Sequence, residues 1–304
     1  MKSKLFDLLQ YFFLELQRTS FTHRLFVLAI ITAIPWFIIL SWPDKTLHVY
    51  FFDVGQGDSV FIKTPDNYQI LVDGGPDESV LAELGKVMPF YDRSIDLVFL
   101  THPHADHVSG LIEVLRRFEV GQILVNDVFY ETDEYQTFLS LIDSKKILKQ
   151  NFLQGDKIKL SDGTILQSFW PKAQTSLWEI LDVNKVSQVV RLDYGQFSLL
   201  LTGDAGLGSE NPELANRDWD RVDVLKVPHQ GSKGAVTKEV LERLKPKLAV
   251  ISVGPNKFGH PSEEVVELLS SPSGGRIGQA IRVLRTDEEG TVEVVSNGKN
   301  WVVR

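Results

Sequence analysis

The sequence predicts a mixed α/β fold with large sheets, preceded by one uncharged amino-terminal segment. After Leu47 the chain becomes a series of short apolar runs cut by Gly, Pro and Asp, the pattern of strands joined by tight turns. Stretches with helical spacing alternate with strands in the second half, which favours large sheets over a helical bundle. Residues 25–43, LFVLAIITAIPWFIILSWP, carry no charge at all.

That segment reads as a single membrane span. Nineteen residues at a helical rise make roughly 28 Å, close to one hydrocarbon thickness. Arg24 and Trp42 sit where interface anchors belong, and Pro35 argues against a buried core helix. The long leader and the lack of an A-x-A-like site before Asp44 argue against a cleaved signal peptide. Residues 1–43 carry Lys2, Lys4, Arg18 and Arg24 against Asp7 and Glu15, so the positive-inside rule puts residues 44–304 outside the cytoplasm. Upstream, Leu5 to Gln17 is a further helix candidate, apolar nearly all round.

The remaining 261 residues, 44–304, read as one domain. VYFFDVGQGDSVFIKT and QILVDGG give three strands, the third ended by Gly74-Gly75. IDLVFLTH is a buried strand that leads into HVSGLIEVLRRF, a helix with Leu111, Val114 and Leu115 on one side. Later strands are GQILVN, SQVVRLDYG, FSLLLTGD, VDVLKVPH, KLAVISVG, IRVLRTD, TVEVVS and WVVR, with helices at TKEVLERL and SEEVVELLS. Residues 127–180 carry no chemical motif.

Composition narrows the chemistry. With no cysteine, thiolate catalysis, Cys-type zinc sites and disulfides are excluded. The formal charge is −8 overall and +2 over residues 1–43, leaving −10 on residues 44–304. Such a body does not grip a phosphate backbone by a broad basic patch, so nucleic-acid chemistry here needs metal ions or a few placed cations.

The histidines point to metal. Five of seven, His102, His104, His107, His229 and His260, fall at strand ends or in the loops that follow, and Asp73 and Asp204 end apolar strands in the same way. Strand ends are where distant loops meet on a rigid support. His102 and His104, two apart on an extended segment, point to one side and can share a cation, while Asp106 and His107 can face a second. Imidazole and carboxylate without thiolate suit Zn²⁺, with Mn²⁺ or Fe as alternatives. Asp204 can bridge two ions, and Asp73 is placed to orient a ligand from behind.

HPHADH at 102–107, with DVGQGDS at 53–59, LVDGG at 71–75, LLLTGDA at 199–205, LKVPHQGSK at 225–233, ISVGPNKFGHP at 251–261 and VLRTDEEGTVEV at 283–294, closely resembles the metallo-β-lactamase-fold domain of the ComEC type. In competence proteins of that type the domain follows a transmembrane channel that takes up DNA. The resemblance implies an αββα sandwich with a metal site at one edge. Carried over, His102 and His104 would ligate a first ion, Asp106, His107 and His229 a second, and Asp204 would bridge them. His260 would contact substrate or donate a proton, and the turn with Ser232 and Lys233 would contact a phosphate. Two departures stand out. The fold usually supplies one more histidine before the TGD strand, where this chain has DVNKVSQVV, with Asn184 or Ser187 nearest the place. Where related chains commonly read HHGS, this one has His229-Gln230.

The resemblance implies a membrane-anchored, metal-dependent phosphodiesterase or nuclease, with Asp106 and His260 handling protons, DNA as substrate and a DNA-uptake channel protein as a partner. The alternatives are a hydrolase of a smaller phosphodiester or ester, and a degenerate domain that keeps the fold as a binding module.

Overall fold

The computed structural model describes residues 19–40, 44–126, 128–173, 182–271 and 280–304, with side chains left out at 33–40. The chain divides into two compact units, Met1–Asp44 and Lys45–Arg304. The first contains α1 (Phe21–Leu40). Among the described residues no helix is long and apolar enough to cross a membrane. The span expected over residues 25–43 is not found among them, and its residues 41–43 lie outside the described residues. The helix expected over Leu5 to Gln17 also lies outside it.

The second unit is built on two sheets. One runs in the order β15 (Trp301–Val303), β14 (Val292–Ser296), β1 (Leu47–Phe51), β2 (Val60–Lys63), β3 (Gln69–Val72), β4 (Ser94–Leu100), β5 (Glu119–Val125), β6 (Leu148–Gln150). The other runs β13 (Arg282–Arg285), β12 (Leu248–Ile251), β11 (Val224–Lys226), β10 (Phe197–Leu201), β9 (Val189–Tyr194), β8 (Ile165–Trp170), β7 (Lys157–Lys159). Strands β3 to β6 are mutually parallel, and so are β10 to β13. The expected αββα arrangement of two sheets is what the chain forms.

Period-two alternation makes the layers. Val60, Ile62, Ile70, Val72, Leu97 and Phe99 of one sheet meet Leu199, Leu201, Val224, Leu248 and Val250 of the other in a central core. The intervening residues Phe61, Leu71 and Val98 point outward beneath α2 (Ser79–Val87), α3 (Ala105–Arg117) and α4 (Asp133–Lys145). On the far side Leu200, Leu225, Ala249 and Ile251 pack with α6 (Lys238–Leu244) and α7 (Glu263–Ser270). A four-residue helix, α5 (Pro212–Ala215), lies between β10 and β11 in the chain. Residues 127–180, silent as to chemistry, supply α4 and β6 to β8.

Helix α3 carries the HPHADH cluster, and its seating decides where the cluster points. Its first turn holds Asp106 and its last Arg116 and Arg117, both favourable to the helix dipole. Val108, Leu111, Val114 and Leu115 are fully buried against the sheet. The helix approaches the turn after β3 closely: Gly74 N–H donates to His107 O at 2.8 Å and Gly110 N–H to Gly75 O at 3.0 Å. A Cβ on Gly110 would stand 1.9 Å from the Gly74 carbonyl oxygen. Gly110→Ala is expected to lower the unfolding free energy by about 3 kcal/mol, the upper range for overpacking, as read from urea denaturation. An unchanged midpoint would mean that the helix is free to shift.

Candidate metal centre

The site lies where β3, β4, β10, β11 and β12 end, so both sheets contribute to it. Asp73 follows β3 with φ +59° and is fully buried. One of its oxygens accepts the Thr101 N–H at 2.8 Å; the other accepts the Thr101 hydroxyl at 2.7 Å and sits 2.8 Å from His107 Nδ1. This turns His107 Nε2 inward, where it lies 3.4 Å from Asp204 Oδ2 and 3.6 Å from Asp106 Oδ2. His104 occupies the N-cap position of α3 and makes no capping hydrogen bond. Its ring is used instead at the site, with Nδ1 3.1 Å from His102 Nε2.

Asp204 stands at the centre. Its Oδ2 is 3.7 Å from His102 Nε2, 3.4 Å from His107 Nε2 and 3.8 Å from His229 Nε2. His229 and Gln230 both take positive φ, 49° and 47°, which swings the first ring to Asp204 and tucks the second side chain beneath it. Gln230 Nε2 donates to Asp204 Oδ1 at 3.0 Å and is 3.5 Å from His107 Nε2. The position that departs from HHGS is thus part of the site. Ser187, near the place of the missing histidine, accepts the Asp204 N–H at 3.0 Å and lies 3.4 Å from His102 Nδ1. Asn184 Nδ2 reaches His229 Nε2 at 3.5 Å, and its buried Oδ1 has no hydrogen-bond partner among the described residues.

His260 sits at the rim, its ring 5.4 Å from that of His229. Asn256 holds its main chain by two hydrogen bonds, and His260 Nδ1 is buried with no hydrogen-bond partner among the described residues. Ser232 gives its hydroxyl to Glu210 Oε1 at 3.2 Å, while Lys233 is exposed and 3.8 Å from Glu264. A cleft of about 300 Å³ opens on Asp204 and His229 and is also lined by Asp182, Asn184, Lys185 and Glu210.

Four contributors are not among the residues singled out in the sequence: Asp58 and Lys226, which lie within the DVGQGDS and LKVPHQGSK motifs, and Tyr130 and Glu210. Asp58 and Lys226 form a buried ion pair under the site, and Lys226 Nζ also donates to Gly203 O at 3.1 Å, tying down the Thr202-Gly203-Asp204 turn. A lysine inside the apolar run VDVLKV was the available signal, because a charge in a buried strand needs a partner. Tyr130, from the stretch without motifs, places its ring 5.6 Å from that of His104. Glu210 Oε2 lies 3.7 Å from His229 Nδ1.

The electrostatics suit a cation. Burial, then the neighbouring His107, pushes His102 well below the ordinary imidazole range, leaving it neutral and able to ligate. Burial also works against charge on His107, yet Asp204, Asp106 and Asp73 outweigh it and hold that ring well above the ordinary range. Burial raises Asp58 to about 6, against the pull of Lys226 and His107. For Asp204 burial is overcome by His107, His102 and Lys226, which hold it well below the ordinary range. A pocket in which Asp73, Asp106 and Asp204 surround one fully buried imidazole is short of positive charge. Ligand atoms of His102, His107 and Asp204, all buried, lie within 4.8 Å of one another, so these residues fit a divalent ion. Asp58, Asp73 and His107 also cluster, but Lys226 and Thr101 already engage the two carboxylates.

The two sheets form an α/β metallo-β-lactamase fold, and the model of the metallo-beta-lactamase superfamily matches residues 52–157. The chain is 28% identical over 277 residues to ComE operon protein 3 of Bacillus subtilis (strain 168), covering 84% of this chain and 34% of that one. It is 28% identical over 230 residues to Recombination protein 2 of Haemophilus influenzae, covering 73% and 26%. The ComEC-type resemblance therefore holds over most of the chain, which spans about a third or less of these relatives' length. In fold it is similar to the metallo-β-lactamase fold protein YhfI from Bacillus subtilis, at TM-score 0.56, 14% identity and coverage of 83% of this chain and 100% of that one. CmlA, a diiron β-hydroxylase from Streptomyces venezuelae, matches with TM-score 0.51 at 14% identity, over 80% of this chain and 53% of that one.

Substitutions at Lys226, Asp58 and Asp73 test the support beneath the site. Lys226→Met strands a buried carboxylate and is expected to cost about 3–5 kcal/mol of stability, whereas Asp58→Leu combined with Lys226→Met costs less than Lys226→Met alone. Thermal and urea unfolding of the two variants decide this, and a larger loss in the double variant would remove the ion pair's assigned role. Asp73→Ala is expected to weaken metal binding about 10–100-fold by freeing the His107 ring. Competition with a chromogenic chelator reads that change.

Proposed function

We propose that this chain is a metal-dependent hydrolase of phosphodiester bonds that acts on DNA outside the cytoplasmic membrane. The observation that carries the proposal is the convergence of His102, His107 and Asp204 at buried strand ends beside an open cleft. His102, His104, Asp106, His107 and His229 would hold Zn²⁺, or Mn²⁺, with Asp204 between two ions. Divalent ions bound there supply Lewis-acid charge stabilisation and lower the pKa of water. Asp106, one-third exposed beside His107, is placed to accept a proton, and His260 at the rim to return one to the leaving oxygen.

Residues 25–43 serve in this proposal as a single-pass anchor. Leu25, Phe26, Leu28, Ile30 and Ile31 are all more than 40% exposed on α1, an apolar surface that a lipid environment would cover. The 28% identity to ComE operon protein 3 supports a role in DNA uptake beside a channel protein. The cleft lining favours a second reading, hydrolysis of a smaller phosphodiester or ester. Asp182, Asp204 and Glu210 outnumber Lys185 there, which repels a polyanion until metal is bound.

Metal content of the purified chain is the test, measured alongside His104→Ala and Asp204→Ala. About two ions in the parent, fewer in both variants, and hydrolysis of bis-nitrophenyl phosphate and DNA lost with the metal are expected. His260→Ala should keep the metal and lose about 10²–10⁴-fold in rate, the usual worth of a proton donor. Metal content of one ion or none, indifferent to the substitutions, would overturn the hydrolase.

A further inference from the structure

The second sheet carries another polar cavity at its opposite end. The metal centre follows the carboxyl ends of β10, β11 and β12. A cavity of about 370 Å³ instead takes Ser198 from the start of β10, Asp223 from just before β11 and Lys247 from just before β12. Because these three strands are parallel and adjacent, the two sites occupy opposite poles of the sandwich. The floor of the cavity is fixed, since the β9–β10 turn meets the β14–β15 turn where Gln196 N–H donates to Gly298 O at 2.6 Å. A Cβ on Gly195 would stand 2.3 Å from that same oxygen.

The cavity is cationic in an acidic protein. Arg191, Arg221, Lys247 and Lys299 line it against two carboxylates, Asp193 and Asp223. Arg191 Nε donates to both Asp193 oxygens, at 2.9 and 3.0 Å, and Lys247 lies 2.6 Å from Asp223. Both acids are thereby engaged. The side chains of Arg221 and Lys299 are exposed and have no hydrogen-bond or ion-pair partner among the described residues, and Lys299 is held only by its backbone N–H, which donates to Asn297 Oδ1 at 3.0 Å. Asp220, next to Arg221 in sequence, does not line the cavity. Four cations against two carboxylates leave two positive charges, which matches a phosphate monoester dianion or two successive phosphodiesters. Arginine's fork suits phosphate oxygens in particular.

We propose that this pole, lined by Arg221 and Lys299 beside the joined β9–β10 and β14–β15 turns, binds a phosphate-bearing anion, either a small phosphate or a nucleic-acid strand. The inference does not depend on the hydrolase assignment. Inorganic phosphate and hexathymidylate, each titrated into the full chain, are expected to shift the Gly195, Gln196 and Gly298 amide resonances saturably. Arg221→Ala with Lys299→Ala should weaken this by about tenfold or more, the worth of a charge-assisted bond. Asp204→Ala should leave it intact, separating this pole from the metal centre. Tighter binding of hexathymidylate assigns a strand; tighter binding of inorganic phosphate assigns a small ligand. No saturable shift at these amides, or equal binding by the double variant with an unchanged melting temperature, would overturn the proposal.

Discussion

Buried negative charge governs one edge of this molecule. Asp58, Asp73 and Asp204 are each withdrawn from water within a few side chains of one another, and Lys226 is the only lysine or arginine among the buried residues there. Unpaired charge in such a place is costly, so the surroundings must supply compensation. Thr101 bonds Asp73 through both its N–H and its hydroxyl, Lys226 pairs with Asp58, and three imidazoles face Asp204. What remains is a negative potential that raises His107 well above the ordinary imidazole range. A divalent cation answers the same demand with its full charge and gives the imidazoles a partner in their neutral form.

The two sheets make that arrangement rigid. One contributes Asp73 and the HPHADH loop, the other Asp204, His229 and His260, and the shared core fixes the distance between them. The glycines at the seam permit it: a Cβ on Gly57 would meet Asp106 O at 2.2 Å, and one on Gly254 would meet Gly55 at 2.4 Å. The ligands are thus carried on turns whose backbones touch, and their positions do not rely on long flexible loops.

The two departures from the family pattern have different physical consequences. Gln230 keeps a hydrogen bond to Asp204, so replacing an imidazole there preserves support for the carboxylate while removing a titratable group. Ser187 contacts His102 and the Asp204 main chain, so it positions ligands at a place where the family usually adds one. Asn184 brings its Nδ2 to 3.5 Å from His229 Nε2, while its buried Oδ1 has no hydrogen-bond partner among the described residues.

Much of this was legible in the sequence. The alternation of Val60 to Ile62 or Ile70 to Val72 specifies strands with two buried faces, and helical spacing specifies α3, because period and local geometry are properties of a few neighbouring residues. The HPHADH spacing likewise placed metal-ligating chemistry at a strand end. Local pattern could not say that β14 returns to pair with β1, or that Lys226 would find Asp58, since both depend on segments far apart in the chain. Nor could it show Gln230 beneath Asp204, which requires the positive φ of two consecutive non-glycine residues. The sequence by itself determined which residue types were available and the period of each element. Only the tertiary structure decided which of them share one buried electrostatic environment, because that environment is created by packing two sheets together.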